Sequence, residues 1–182
     1  MTDLDLQLPD EGDVVELILA DHRRFEELLR DLRDSSSDRD AVRRTFATLH
    51  VAHAEAEEAE VYPNLRREDA ISGDEADHGR EEHAEGNEAL LAVLEAEELE
   101  GEEFEELVEE LARLVNHHLT EEELSILNPA RDEVDADERA RLGKAFAAAR
   151  AKLITDDCGR VEKVRALVEE ARAEGLLDED EE

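Results

Sequence analysis

Apolar residues recur at steps of three and four in four successive stretches of the chain, and every one of those stripes is interrupted by a histidine. That spacing is the period of an amphipathic helix. Alternating β-branched runs and Asn-Gly or Asp-Gly hairpin turns are missing, so the chain reads as all helix. The first helix, expected from about Asp10 to Arg33, carries Val15, Ile18, His22, Phe25 and Leu29 on its stripe. The second starts near Ser37 or Asp38 and carries Val42, Phe46, Leu49, His53, Glu57 and Glu60, and Pro63 is expected to kink or end it after Tyr62. For the third, Ser72 with Glu75 three residues on forms an expected capping box, and the stripe is His83, Asn87, Leu90 and Leu94. After a turn at Gly101 the fourth carries Phe104, Leu107, Leu111, Leu114, His118 and Glu122, and is expected to close at Pro129.

Four helices of about 25 residues joined by short loops predict an all-α, up-down-up-down four-helix bundle with one or two extra C-terminal helices. The bundle is expected over residues 1–131. A helical extension packed on or following it is expected at 132–176, with helices near Asp137–Ile154 and Asp157–Glu174, and an acidic tail at 177–182.

Asp and Glu number 55 against 21 Lys and Arg, a formal charge of -34 that repels phosphate. Neither nucleic acid nor an anionic membrane is therefore an expected partner. No stretch approaches the roughly 18 apolar residues of a membrane span. The start "MTDLDLQLPDEGD" lacks the basic and apolar regions of a signal peptide. The single cysteine, Cys158, can form no internal disulfide, and a cytoplasmic location is the expectation. Lysine occurs only at Lys144, Lys152 and Lys163. An acid-rich, lysine-poor surface fits a halophilic organism, in which salt screens self-repulsion, so the charge reports habitat more than partner.

Two of the stripe histidines are followed one turn later by a glutamate, as His53 with Glu57 and His118 with Glu122. The i, i+4 spacing puts imidazole and carboxylate on one helical face. An uncompensated carboxylate in a bundle core costs several kcal/mol or stays protonated, and a divalent metal removes that cost. Counted from the turns at about 1.5 Å per residue, His22, His53, Glu57, His83, His118 and Glu122 fall within about one helical turn of a common level. Four imidazoles and two carboxylates suit iron, manganese or cobalt better than calcium or structural zinc. Carboxylates from two helices can bridge two metals roughly 3.5 to 4 Å apart, so a dinuclear site is the simplest fit. The alternative, a structural bundle with satisfied core histidines, leaves this geometry unexplained.

The other histidines are set apart from the ligands. His50 has no carboxylate one turn on, His117 is out of phase with the leucines, and His78 is followed by Glu82 and Glu85 on a face read as solvated. Glu58, Glu60, Glu121 and Glu123 are read as exposed or as acceptors for the ligand imidazoles. Tyr62 is read as helix-end packing, with a hydrogen bond to the site as the alternative, and Cys158 as a chance thiol, with a redox role as the alternative, near a helix N-terminus, where a thiolate is favoured.

The pieces "ILADHRRFEELL", "HAEAEEAEVYP", "EEHAEGNEALL" and "NHHLTEEELSILNPAR", spread over residues 18–131, resemble the hemerythrin-like, or HHE cation-binding, family. The resemblance implies a non-heme diiron centre with His22, His53, Glu57, His83, His118 and Glu122 as ligands and with the two glutamates bridging. Oxygen-carrying members have a further histidine one turn from the third-helix ligand, where this chain has Asn87 one turn after His83 and Gly79 one turn before, and an aspartate where it has Glu123. The function implied is a binding module, rather than an enzyme, that takes dioxygen or a related diatomic such as nitric oxide for sensing, buffering or iron handling. A diiron oxidase or peroxide-reducing enzyme on the same centre is the alternative. No residue pattern identifies a protein partner; a sensor would act through a separate output protein or through the last two helices.

Overall fold

The computed structural model describes Leu6 and residues 8–177. The acidic tail expected at 177–182 lies outside the described residues beyond Leu177, as do residues 1–5 and 7 of the expected bundle. Among the described residues there are six helices and no strand. Helix α1 is Val14–Arg33; α2 spans 39–67; α3 is Gly73–Glu95; α4 spans 102–133; α5 is Ala136–Thr155; and α6 is Val161–Glu174.

Short polar side chains set the helix starts. Asp13 caps α1 by accepting from the Val15 amide, three residues later than the start read from the stripe. Asp38 caps α2 through Ala41, and Asp135 caps α5 through Glu138. At α3 the Ser72 hydroxyl accepts from the Glu75 amide while the Glu75 carboxylate accepts from the Ser72 amide, which is the reciprocal pair expected.

Neither proline ends its helix. Helix α2 consists of Arg39–Ala56, a π turn at Glu57–Val61 and a last segment Tyr62–Arg67; α4 consists of Glu102–Glu122, a π turn at Glu123–Leu127 and Asn128–Glu133. A proline inside a regular helix loses one hydrogen bond and drives its ring into the carbonyl four residues back. The wider π turn relieves both, because the ladder steps to i−5: the Tyr62 amide bonds the Glu57 carbonyl and the Asn128 amide the Glu123 carbonyl. Pro63 and Pro129 then sit in the first turn of the following segment, where no donor is required.

Helices α1 to α4 form the bundle, with α1 against α2 and α4, and α3 against α2 and α4. The C-terminal pair returns over it: α5 packs on α1 and α2, and α6 on α3. Leu142, Phe146 and Ala147 of α5 share a core with Val14, Val15, Ile18, Val61 and Tyr62. Below the histidine level, Phe25, Phe46, Leu90, Phe104 and Leu111 fill the bundle. Cys158 is buried in the turn before α6, and burial together with nearby Glu55 pushes its thiol up to about 11. It is a neutral thiol, not the thiolate that a helix N-terminus would favour.

Candidate metal centre

The four stripe histidines and both glutamates converge in the middle of the bundle, each almost completely buried. Their donor atoms form two sets of three, His22 with His53 and Glu122, and Glu57 with His83 and His118; within a set all atoms lie within 4.8 Å of one another. The glutamates cross between the sets. Glu57 Oε2 is 3.2 Å from His53 Nε2 and 3.3 Å from His83 Nε2. Glu122 Oε2 is 3.1 Å from His22 Nε2 and 3.8 Å from His118 Nε2. Donors about 2.1 Å from a shared ion stand roughly 3.0 to 3.4 Å apart, a range that three of these four separations meet.

The π turns serve this arrangement. A turn widened by one residue directly after Glu57 and after Glu122 brings two consecutive glutamates to the centre on each of α2 and α4. The second of each pair accepts from an imidazole: His83 Nδ1–H donates to Glu58 at 2.9 Å and His22 Nδ1–H to Glu123 at 3.0 Å.

The remaining two of these histidines are held by residues that lie off the stripes. His53 Nδ1–H donates to Asp21 at 3.1 Å, and His118 Nδ1–H to Glu82 at 2.9 Å. Asp21 and Glu82 each directly precede a ligand histidine, and that acid–histidine dipeptide was the signal available in sequence. Glu82 is buried, not on a solvated face. Asp21 is itself paired with the buried Arg150 of α5, whose guanidinium also lies over the Phe146 ring while Phe146 meets the His53 ring edge-on. An α5 helix outside the bundle thus reaches the support of a central histidine.

With Nδ1 committed as donor, Nε2 is the nitrogen left to bind a metal once its own proton is displaced. The Nε2 atoms of His53, His83 and His118, and Glu57 Oε1, are buried without a hydrogen-bond partner. Buried polar atoms without a hydrogen-bond partner are costly, and a cation held by the donor sets would satisfy them. The donor set therefore fits a transition metal pair.

The charges agree. Burial opposes a proton on His53, but Glu57 and Asp21 outweigh it and raise the group to about 10; at His83, Glu57 and Glu58 likewise overcome burial and raise it to about 9. Glu57 is held well below the usual carboxylate range because His53 and His83 outweigh its burial. His22 is raised by Glu122 and Glu123 against its burial, and His118 is lowered by burial and by facing His83. Tyr62 also belongs to the site and is more than helix-end packing. Its hydroxyl donates to Glu122 Oε1 at 2.9 Å and stands 3.5 Å from Glu57 Oε2, and burial with these carboxylates pushes its ionisation well above the usual range. Gly79 makes room for it, since a Cβ there would be 3.0 Å from the Tyr62 oxygen.

His50 is buried but joins neither set; its ring stacks on Phe46 and fills the space left by Gly86. His78 and His117 are exposed. A cleft of about 190 Å³ between α2, α3 and α6 reaches the centre's wall at Glu58, His83 and Asn87.

Comparison with known proteins agrees with this geometry. A protein named DNA nickase, from Nostoc sp., is 25% identical over 143 residues, which is 77% of this chain and 40% of that protein. The chain thus spans less than half the length of the relative it matches. No solved structure matches. The family model of the hemerythrin HHE cation-binding domain matches residues 13–130, which include every residue of both donor sets, and the chain belongs to that family.

Proposed function

We propose that His22, His53, Glu57, His83, His118 and Glu122 hold two non-heme irons and that the protein binds dioxygen or a related diatomic such as nitric oxide, for sensing, buffering or iron handling. The observation that carries this reading is the convergence of unpartnered Nε2 atoms on two carboxylates shared between the donor sets. A bound iron pair supplies reversible redox chemistry and open positions for a diatomic. The protein's own residues do the rest. Asp21, Glu58, Glu82 and Glu123 fix each imidazole's tautomer and orientation. Tyr62 anchors the Glu122 oxygen that faces away from the histidines. The cleft beside His83 gives a small molecule a way to the wall of the centre.

Purified protein from iron-supplemented expression is expected to hold about two irons per chain, as a dinuclear site requires, with an absorption change on adding oxygen or nitric oxide. Protein that stays iron-free would overturn the reading. Turnover of peroxide or oxygen beyond one equivalent, lost in His118→Ala, would move it to the oxidase alternative.

Proton release gives an independent check. In the metal-free protein His53 and His83 keep a proton until about pH 10 and about pH 9, and a metal must displace both. Metal affinity therefore rises with pH through the neutral range. The raised values stabilise the metal-free fold fully below the ordinary 6.5 of histidine, and that stability is lost as pH rises through 9 and 10. Thermal scans should show the decline in metal-free protein and not in metal-loaded protein.

The Nostoc relative's name raises DNA as a partner. The charge of -34 argues against phosphate binding, and we take the chain to act in the cytoplasm without nucleic acid or membrane. Among the described residues no helix is long and apolar enough to cross a membrane. The same charge, with arginine far outnumbering lysine, supports a halophilic origin.

A further inference from the structure

The cleft between α2, α3 and α6 carries carboxylates from solvent down to the centre. Glu170 and Glu174 of α6 are exposed, Glu55 and Glu58 of α2 are partly exposed, and His83 in the same lining is buried. Glu58 belongs to both ends of this series, since its Oε1 accepts from His83 at 2.9 Å. Asn87, one turn after His83, adds a buried Oδ1 without a hydrogen-bond partner. The lining has one guanidinium, Arg80, which donates to Glu58 Oε2 at 3.3 Å and to Glu174 Oε2 at 3.1 Å.

We propose that this cleft is the route by which divalent cations load the centre, drawn in by its carboxylates and passed inward as the entering ion displaces Arg80 from Glu58 and Glu174. An ion crossing apolar packing would shed its water with nothing in return. Carboxylate and amide oxygens replace that water step by step, as such ions require. A cleft walled by one sign of charge also focuses the field and raises the arrival rate of counter-ions about 10- to 1000-fold. Arg80 already occupies the place of a cation between two carboxylates, and both of its pairs are partly exposed, so they are weak enough to exchange.

The route rests on the metal reading of the centre. The test is rapid mixing of the metal-free full chain with Co2+ at low ionic strength, followed by the visible absorption of the bound ion. Glu55→Gln/Glu170→Gln removes two charges from the cleft without touching Arg80's partners. Glu97→Gln/Glu98→Gln removes two exposed charges from the turn after α3. The cleft variant is expected to fill to the wild-type level roughly 10-fold more slowly, and the control variant at the wild-type rate. Salt at about 1 M, where the screening length is about 3 Å, should bring the rates together. Arg80→Gln should load faster than wild type. Equal rates in wild type and the cleft variant, or equal slowing in the control, overturn the route, and an Arg80→Gln rate no faster than wild type overturns the displacement step. A chain that never takes up Co2+ overturns the metal reading itself and the route with it, whereas full occupancy at any rate leaves that reading intact and decides the route alone.

Discussion

The centre has two halves built on one pattern, and they differ in what stands behind it. In each half an acid–histidine dipeptide, Asp21–His22 on α1 or Glu82–His83 on α3, faces a His-x3-Glu-Glu run, His53 to Glu58 on α2 or His118 to Glu123 on α4. The acid before one histidine accepts from the histidine of the facing run, and the second glutamate of each run accepts from a dipeptide histidine. Beyond this ring the symmetry ends. Asp21 is completely buried and neutralised by Arg150 of α5, whereas Glu82 turns its second oxygen toward two exposed histidines. Five residues after the first glutamate of each run, α2 has Tyr62 bonded to Glu122, and α4 has the apolar Leu127. The pattern is duplicated, but its electrostatic backing is not, so the two halves are chemically unequal.

The largest expected effect comes from removing the carboxylate that α5 neutralises. Asp21→Ala leaves Arg150 buried and unpaired, and breaking one partner of a buried ion pair costs about 3 to 5 kcal/mol. Urea unfolding of the metal-free variant should show that loss, while Glu82→Ala, with no buried cation to strand, should show clearly less. Equal losses in the two variants would break the comparison. Next in size, Glu82→Gln keeps the volume but withdraws the charge that holds His118, and metal affinity should fall about 10- to 100-fold with little change in the metal-free unfolding midpoint. Tyr62→Phe follows: one oxygen of buried Glu122 loses its donor, a cost of about 1 to 2 kcal/mol. Changing the corresponding Leu127 to Met should alter stability by less than about 1.5 kcal/mol and leave the metal spectrum unchanged.

How much of this was legible in sequence follows from the kind of signal each residue gives. The bundle and its histidine level are written in an i, i+3, i+4 period, and His22, His53, Glu57, His83, His118 and Glu122 lie on that period, so they could be found without coordinates. Asp21 and Glu82 fall one position off the stripe, where helical periodicity predicts solvent, and only the way neighbouring helices meet brings them inward. Arg150 was beyond reach because its partner is 129 residues away and nothing local marks it. The helix end expected at Pro129 was misread, and the kink or end expected at Pro63 left open, because the rule that proline stops a helix assumes the ordinary i−4 ladder. The π turn that suspends the rule also turns Glu58 and Glu123 inward.

The smallest effect tests whether α6 backs its side as α5 does. Arg80 of α3 reaches Glu58 at 3.3 Å and Glu174 of α6 at 3.1 Å, so a second arginine links the C-terminal pair to a ligand histidine, here His83. The chain of contacts resembles Arg150–Asp21–His53, but every charged member is partly exposed: Glu58 by 31%, Arg80 by 40% and Glu174 by 49%. Water and salt screen such pairs, and their worth is about 0 to 1 kcal/mol. Arg80→Ala should therefore shift the unfolding midpoint barely, and high salt should erase the difference, whereas the Asp21→Ala loss should persist at any salt concentration because that pair is shielded from solvent. An Arg80→Ala loss as large as that of Asp21→Ala would mean that burial does not decide the worth of these links, and that α6 supports its metal position as firmly as α5 does.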